Sequence, residues 1–224
     1  MALLPPRLFL DSADPADWEQ WLPLGVFHGV TTNPLLLDRA GQDCTLANLA
    51  RLGGRAFDLG AREIHLQVWG DDEDALVTCG RELVGLAPQV AVKVPATDTG
   101  LRAARRLLAE EVGVTVTAVY NAGQVLAAAA LGVLYAAPYL GRIDDLGRDG
   151  TAEVIAMHEL LRSTENPTRL LVASLRDWDK VVELAWEGLD TFTISPAVAA
   201  AMLDDPDTDD AADAFEEAAR RRGG

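Results

Sequence analysis

The chain has few of the residues that build crosslinks, metal centres and grips on nucleic-acid backbones. Its 224 residues include two cysteines, Cys44 and Cys79, with no Cys-x-x-Cys spacing. Nothing in that pattern points to a disulfide framework or a zinc site, and two reduced thiols are expected. The three histidines, His28, His65 and His158, stand at no metal-ligand spacing, so no catalytic metal is expected. Basic residues number 19 against 35 acidic ones, a formal net charge of −16. A nucleic-acid partner needs a basic stripe, and none is visible. No apolar run reaches the roughly 18 residues of a membrane span. The N-terminal "MALLPPRLFLD" has no charged leader region, and prolines interrupt it. The expectation is a cytoplasmic protein with neither signal peptide nor membrane partner. The glycine fingerprints of nucleotide folds are missing too, and no cofactor is expected.

Lysine is the scarcest charged type. Lys93 and Lys180 are the only two, the other 17 basic residues being arginine. Lys93 lies inside the apolar, β-branched "VAVKVPATDTG", where a strand core is expected.

What is present reads as one globular domain spanning residues 1–224, with 49% hydrophobic and 24% charged residues. Eight short apolar runs recur: "RLFLD" (7–11), "HGVTTN" (28–33), "EIHLQVW" (63–69), "VAVKVPA" (90–96), "GVTVTAVY" (113–120), "VLYAAPY" (133–139), "RLLVAS" (169–174) and "TFTISP" (191–196). They are nearly continuous rather than alternating, as strands buried on both faces are. Amphipathic segments lie between them. "DPADWEQWL" opens with an aspartate cap and Pro15 at the first helical position. "DTGLRAARRLLAEE" keeps Leu101, Ala104, Leu107 and Leu108 on one face. Strands alternating with helices at about 25 residues per unit predict an α/β fold, a (β/α)₈ TIM barrel. The tail, acidic first and basic last, predicts an additional C-terminal helix over about 207–222, placed to pack on its own barrel or on a neighbouring subunit.

In such a barrel the reactive groups project from the C-terminal strand ends. Polar residues gather there: Asp11, then Thr31, Thr32 and Asn33, then Gln67, Lys93, Thr115 and Thr117, Tyr139 and Arg142, and Ser174 with Arg176. Each alone has a plain structural reading, Asp11 as a helix cap, Asn33 before Pro34 as a turn residue, Thr117 as a strand residue. Together they supply polar groups to one face from seven strand ends. Burying an ammonium is costly, and desolvation favours the neutral amine, a nucleophile able to form a Schiff base with a carbonyl. Arginine cannot do this. The competing reading of Lys93 is an amine snorkelling to solvent. Lys180, in "DWDKVVEL", reads as part of a solvated helix face. Tyr139 could shuttle protons directly or through a water held by Gln67 and Thr117. Asp11 and Asn33 could bind substrate hydroxyls. Arg142, Ser174 and Arg176 could hold a phosphate beside the late strands.

These segments, "FLDSAD", "GVTTNP", "LQVWG", "VKVPAT", "TAVYNAGQ", "APYLGRIDD" and "ASLRD" in order, resemble the small transaldolase family over nearly the whole chain, and within it the fructose-6-phosphate aldolases. The resemblance implies a metal-independent class I aldolase barrel acting on sugars or sugar phosphates. It implies homo-oligomers, pentamers or decamers, built partly through the C-terminal helix. Lys93 matches the family's Schiff-base lysine, Asp11 its first-strand aspartate, and Asn33, with Thr31 in the same "TTNP" segment, its substrate-binding asparagine. Thr117 matches the threonine that holds the catalytic water, Arg142 and Ser174 the phosphate-binding pair, and Arg176 the basic position after that serine. The family's transaldolases carry glutamate on strand three and phenylalanine on strand six; Gln67 and Tyr139 are the aldolase pair instead. The function expected is cleavage of a ketose or its phosphate to dihydroxyacetone, or a related hydroxyketone, and an aldehyde such as glyceraldehyde 3-phosphate. The alternatives are a transaldolase moving the same unit between sugar phosphates, and a catalytically silent sugar-phosphate-binding barrel.

Overall fold

The computed structural model describes residues 5–223. The first four residues of the segment read for a leader, and Gly224, lie outside them. Eight strands form: β1 (Arg7–Asp11), β2 (Phe27–Thr31), β3 (Glu63–Gln67), β4 (Val90–Pro95), β5 (Val114–Val119), β6 (Tyr135–Pro138), β7 (Arg169–Leu170) and β8 (Thr191–Ile194). All pairings are parallel, in the order β7-β6-β5-β4-β3-β2-β1-β8. A bridge between Val172 and Phe192 joins the two ends of that order. The fold is a (β/α)₈ barrel with an added C-terminal helix.

The strand expected over 169–174 shows how the barrel closes. Regular pairing stops at Leu170, yet the chain beyond it still serves both neighbours. Leu171 and Ala173 donate backbone N–H groups to Ala136 and Pro138 at 2.9 Å, while Val172 donates to Thr191 at 3.0 Å. Ser174 ends the run because its backbone is left-handed, with φ 59°.

Both faces of the sheet are buried, which is why the strands read as continuous apolar runs. Outward residues such as Leu10, Val30, Ile64, Val92 and Val116 are fully covered by the surrounding helices. The helix Asp98–Leu108 is typical: Thr97 caps it, accepting from the Gly100 N–H, and Ala103, Ala104 and Leu107 face the sheet while the arginines face solvent. Each strand places alternate residues inward, so β3 turns Glu63, His65 and Gln67 into the barrel in ascending order. The lowest tier holds Arg7, Glu63 and Tyr135, and Phe9, His65 and Thr115 lie above. Gly29 lets β2 lie close to β3 here: a Cβ on it would stand 1.9 Å from the Glu63 carbonyl oxygen.

The C-terminal helix runs Pro206–Arg221, close to the 207–222 expected, with Asp205 as its cap. None of its residues is buried, and Phe215 is 73% exposed. Among the described residues no helix is long and apolar enough to cross a membrane.

Candidate active site

A cavity of about 380 Å³ opens at the C-terminal end of the barrel, within the size range of small-molecule sites. Lys93, from the inward face of β4, reaches into it while remaining 4% exposed. Its Nζ donates to the Thr32 carbonyl oxygen at 3.2 Å. That contact passes over β3 from β4 to the residue just after β2 and holds the side chain in the lumen rather than out in solvent. In-register pairing sets Gln67 on one side of Lys93 and Thr115 on the other.

Asp11 lines the cavity. It is no helix cap, that position being taken by Asp14. One Asp11 carboxylate oxygen accepts from the Thr31 hydroxyl at 2.6 Å, and the Thr31 and Thr193 hydroxyl oxygens stand 2.6 Å apart. With the Thr31 proton given to Asp11, Thr193 must donate to Thr31, so the three form a directed chain that fixes the carboxylate. Asn33 does act as a helix cap. Its side-chain oxygen accepts from the Leu35 and Leu36 N–H groups at 2.9 and 3.1 Å, leaving the amide N–H₂ for a ligand.

The Tyr139 phenol and the Thr117 hydroxyl lie 2.9 Å apart at the cavity wall. The Arg142 guanidinium sits 5.5 Å above the Tyr139 ring centroid, a cation–π arrangement that stiffens both. Two lining residues carry left-handed backbones, Ala118 with φ 55° and Ser174 with φ 59°. Ala118 lies where the β5–β6 register slips between Val116 and Val119. Such strain is held only where surrounding structure enforces it, and it concentrates at functional sites.

Eight of the ten candidate residues line this cavity: Asp11, Asn33, Gln67, Lys93, Thr117, Tyr139, Arg142 and Ser174. Two do not. Thr31 is fully buried behind Asp11. Arg176 points away, donating to the Gly141 carbonyl oxygen at 2.9 Å and pairing with Asp145 at 2.5 Å. The Asp145 carboxylate satisfies its charge, so it straps the helix Leu140–Asp145 instead of facing the lumen. Gly141 makes that packing possible, since a Cβ on it would meet the Ser174 carbonyl oxygen at 2.4 Å.

Sequence reasoning missed Thr193, Arg39, Leu35 and Leu36, all of which line the cavity. Thr193 carried the same signal as Thr117, a hydroxyl on a core strand. The other three share one face of the short helix Pro34–Arg39, at the three- and four-residue spacing that makes helical neighbours. Among the described residues no three His, Cys, Asp or Glu side chains gather as a possible metal ligand set.

Beneath the cavity lies a buried polar tier. His65, fully buried, contacts Glu63 at 2.6 Å through Nε2 and Thr115 at 3.0 Å through Nδ1. Arg7 donates to the Tyr135 hydroxyl and lies 3.9 Å from Glu63. Burial holds His65 below its ordinary range, against the pull of Glu63. Burial acts to raise the Glu63 pKa, but its hydrogen bonds to His65 and Tyr135 outweigh that and hold the carboxyl low. Burial, with the Glu63 carboxylate beside it, pushes the Tyr135 phenol well above its usual value.

The family model described as Transaldolase/Fructose-6-phosphate aldolase matches residues 8–223. The chain belongs to this family. Its members are metal-independent Schiff-base aldolases and transferases, and the chain is an enzyme of that kind. A probable transaldolase of Exiguobacterium sibiricum is 34% identical over 200 residues, 89% of this chain and 91% of that one. One of Thermus thermophilus is 33% identical over 207 residues, 91% and 93% of the two chains. Among solved structures, a flavocytochrome B2 mutant superposes with a TM-score of 0.58 at 12% identity, covering 85% of this chain and 57% of that one. A putative lactate oxidase of Pediococcus acidilactici gives 0.58 at 10% identity, covering 85% and 62%. At such identities these two share the barrel fold with the family member described here, and nothing more follows from them. The chain spans under two thirds of each.

Proposed function

We propose that this family member is a lyase that reversibly cleaves a ketose or ketose phosphate into dihydroxyacetone, or a related hydroxyketone, and an aldehyde such as glyceraldehyde 3-phosphate. The observation that carries this reading is a nearly buried Lys93 amine sharing one cavity with the Tyr139–Thr117 hydroxyl pair. Lys93 Nζ adds to the ketone carbon, and loss of water leaves an iminium. The C3–C4 bond then breaks, its electron pair passing into the iminium to form an enamine, while the C4 hydroxyl gives up its proton. A water held by Tyr139, Thr117 and Gln67 takes that proton and later returns one to the enamine carbon. Hydrolysis of the resulting iminium frees the amine and the hydroxyketone. Asp11, fixed by Thr31, and the free amide of Asn33 bind donor hydroxyls. Arg142 and Ser174 hold the anionic end of the aldehyde portion.

The second reading is a transaldolase, which passes the enamine to another aldehyde instead of releasing it. The relatives of Exiguobacterium sibiricum and Thermus thermophilus, both probable transaldolases, favour it. Fructose 6-phosphate supplied with and without erythrose 4-phosphate separates the two. Free dihydroxyacetone without acceptor supports the lyase, and turnover only with acceptor supports the transferase. Borohydride reduction with substrate tests the chemistry common to both: an adduct on Lys93, lost in Lys93→Met, is expected, and no adduct with any ketose leaves a binding barrel.

We also infer that the helix Pro206–Arg221 docks on a second copy of the chain, because it buries nothing against its own barrel and presents Phe215.

A further inference from the structure

The Schiff-base steps use none of the buried polar groups beneath Lys93. His65 on β3 and Thr115 on β5 are both fully buried, and their strands flank β4. In the sheet register His65 lies level with Ala91, and Thr115 lies level with Lys93. The 3.0 Å contact between His65 Nδ1 and the Thr115 hydroxyl therefore crosses the inner face of β4, between the levels of Ala91 and Lys93. The short Ala91 side chain leaves room for that crossing.

The direction of each hydrogen bond in this chain of groups is fixed. Burial acts to raise the Glu63 pKa, but its hydrogen bonds hold it low, so it is a carboxylate and can only accept. His65 Nε2, 2.6 Å away, must then carry the imidazole proton. Burial keeps the ring neutral, which leaves a lone pair on Nδ1, and Thr115 must donate to it. With its proton committed, the Thr115 hydroxyl can face Lys93 only as an acceptor. Its oxygen is the negative end of the bond dipole, beside an amine that becomes cationic as the iminium forms. A dipole set in place before the charge develops stabilises that charge without reorganisation. The Glu63 carboxylate at the far end polarises both bonds in the same sense.

We propose that Glu63 and His65 are positioning residues of the Schiff-base step, acting through Thr115 to hold an acceptor toward the Lys93 nitrogen as it becomes an iminium. This rests on the Schiff-base reading of Lys93 and holds for lyase and transferase alike. The three residues keep their own protons throughout and only orient a dipole.

The test follows the borohydride-trapped adduct on Lys93 over a range of fructose 6-phosphate concentrations. It compares the full wild-type chain with Thr115→Val, His65→Met, His65→Gln and the double variant Thr115→Val with His65→Met. Thr115→Val and His65→Met should each lower the limiting rate of adduct formation about tenfold, while the half-saturating sugar concentration stays within about twofold. The double variant should be no slower than Thr115→Val, because His65 reaches the amine only through that hydroxyl. His65→Gln should recover most of the rate, since its amide both donates to Glu63 and accepts from Thr115. A purely structural role would shift thermal melts and leave the limiting rate per folded molecule unchanged. That result overturns the proposal, as do losses that multiply in the double variant or a His65→Gln no faster than His65→Met. If His65→Met does not fold, the nearly isosteric Thr115→Val decides alone, and a wild-type limiting rate there sinks the positioning role while leaving the Schiff base intact. If wild-type Lys93 yields no adduct with any ketose, the Schiff-base reading fails and the positioning role falls with it.

Discussion

The Tyr139 phenol oxygen and the Thr117 hydroxyl oxygen lie 2.9 Å apart, joining the end of β6 to β5 across the wall of the Lys93 cavity. Two adjacent hydroxyls can hold one water between them and pass a proton in either direction. Removing the phenol in Tyr139→Phe is expected to lower release of free hydroxyketone by about 10²- to 10⁴-fold, the usual range for a lost general acid–base group. Borohydride trapping on Lys93 should survive, because the amine is untouched. Steady-state cleavage beside reductive trapping checks this, and a variant that cleaves at the wild-type rate removes Tyr139 from the mechanism.

Gly141 shapes the Arg142–Ser174 side of the cavity without lining it. In Gly141→Ala the new methyl would press on the Ser174 carbonyl oxygen, 2.4 Å away, and on the Arg176 side chain. Backbone cannot yield as a flexible side chain does, so Ser174 and the helix carrying Arg142 must shift. The expected outcome is a loss of about 1–3 kcal/mol of stability with a raised KM for phosphorylated substrates. Thermal melts and KM measured on phosphorylated and unphosphorylated ketoses test both parts.

Histidines withdrawn from solvent make stability depend on pH. His65, His28 and His158 are all held below the ordinary histidine value of 6.5, each chiefly by burial. The unfolded chain therefore takes up protons that the folded chain refuses as pH falls below about 6.5, and stability drops with it. Glu63, held low, contributes in the same direction at more acid pH. Urea denaturation at pH 7.5 and pH 5.5 should show the loss, and His65→Gln should flatten the slope between those two points. An unchanged slope would place the effect in the other histidines.

The helix Pro206–Arg221 buries no residue, yet it carries a phenylalanine at 73% exposure. Light scattering should find the full chain oligomeric. Phe215→Asp, which alters nothing inside the barrel, should reduce the oligomer's size with the far-ultraviolet spectrum preserved. A monomeric wild type would remove the docking role.

Lys93 was legible because a charged amine in a β-branched run conflicts with its surroundings, and such conflicts mark sites. Asp11, Gln67, Thr117 and Tyr139 were legible for the same reason, being polar groups at the ends of apolar strands. Thr31 carried the same signal and yet stands behind the cavity, since one step along a strand end decides between lumen and support. Arg176 does not take the place that spacing suggested. Proximity to Ser174 made Arg176 a ligand candidate, but Asp145 on a neighbouring helix captures it. Arg39 carries no signal in the sequence beyond a basic residue in the last turn of a short helix, and only the position of that helix brings it to the cavity.

By itself, then, the sequence determined the alternation of strands and helices, the barrel it implies, and the tier of polar residues on the strand ends, because burial period and residue chemistry are local properties. The tertiary structure decided which arginines meet a carboxylate and which hydroxyls touch. Those outcomes depend on distances between segments far apart in the chain, and an ion pair forms only where folding brings the carboxylate.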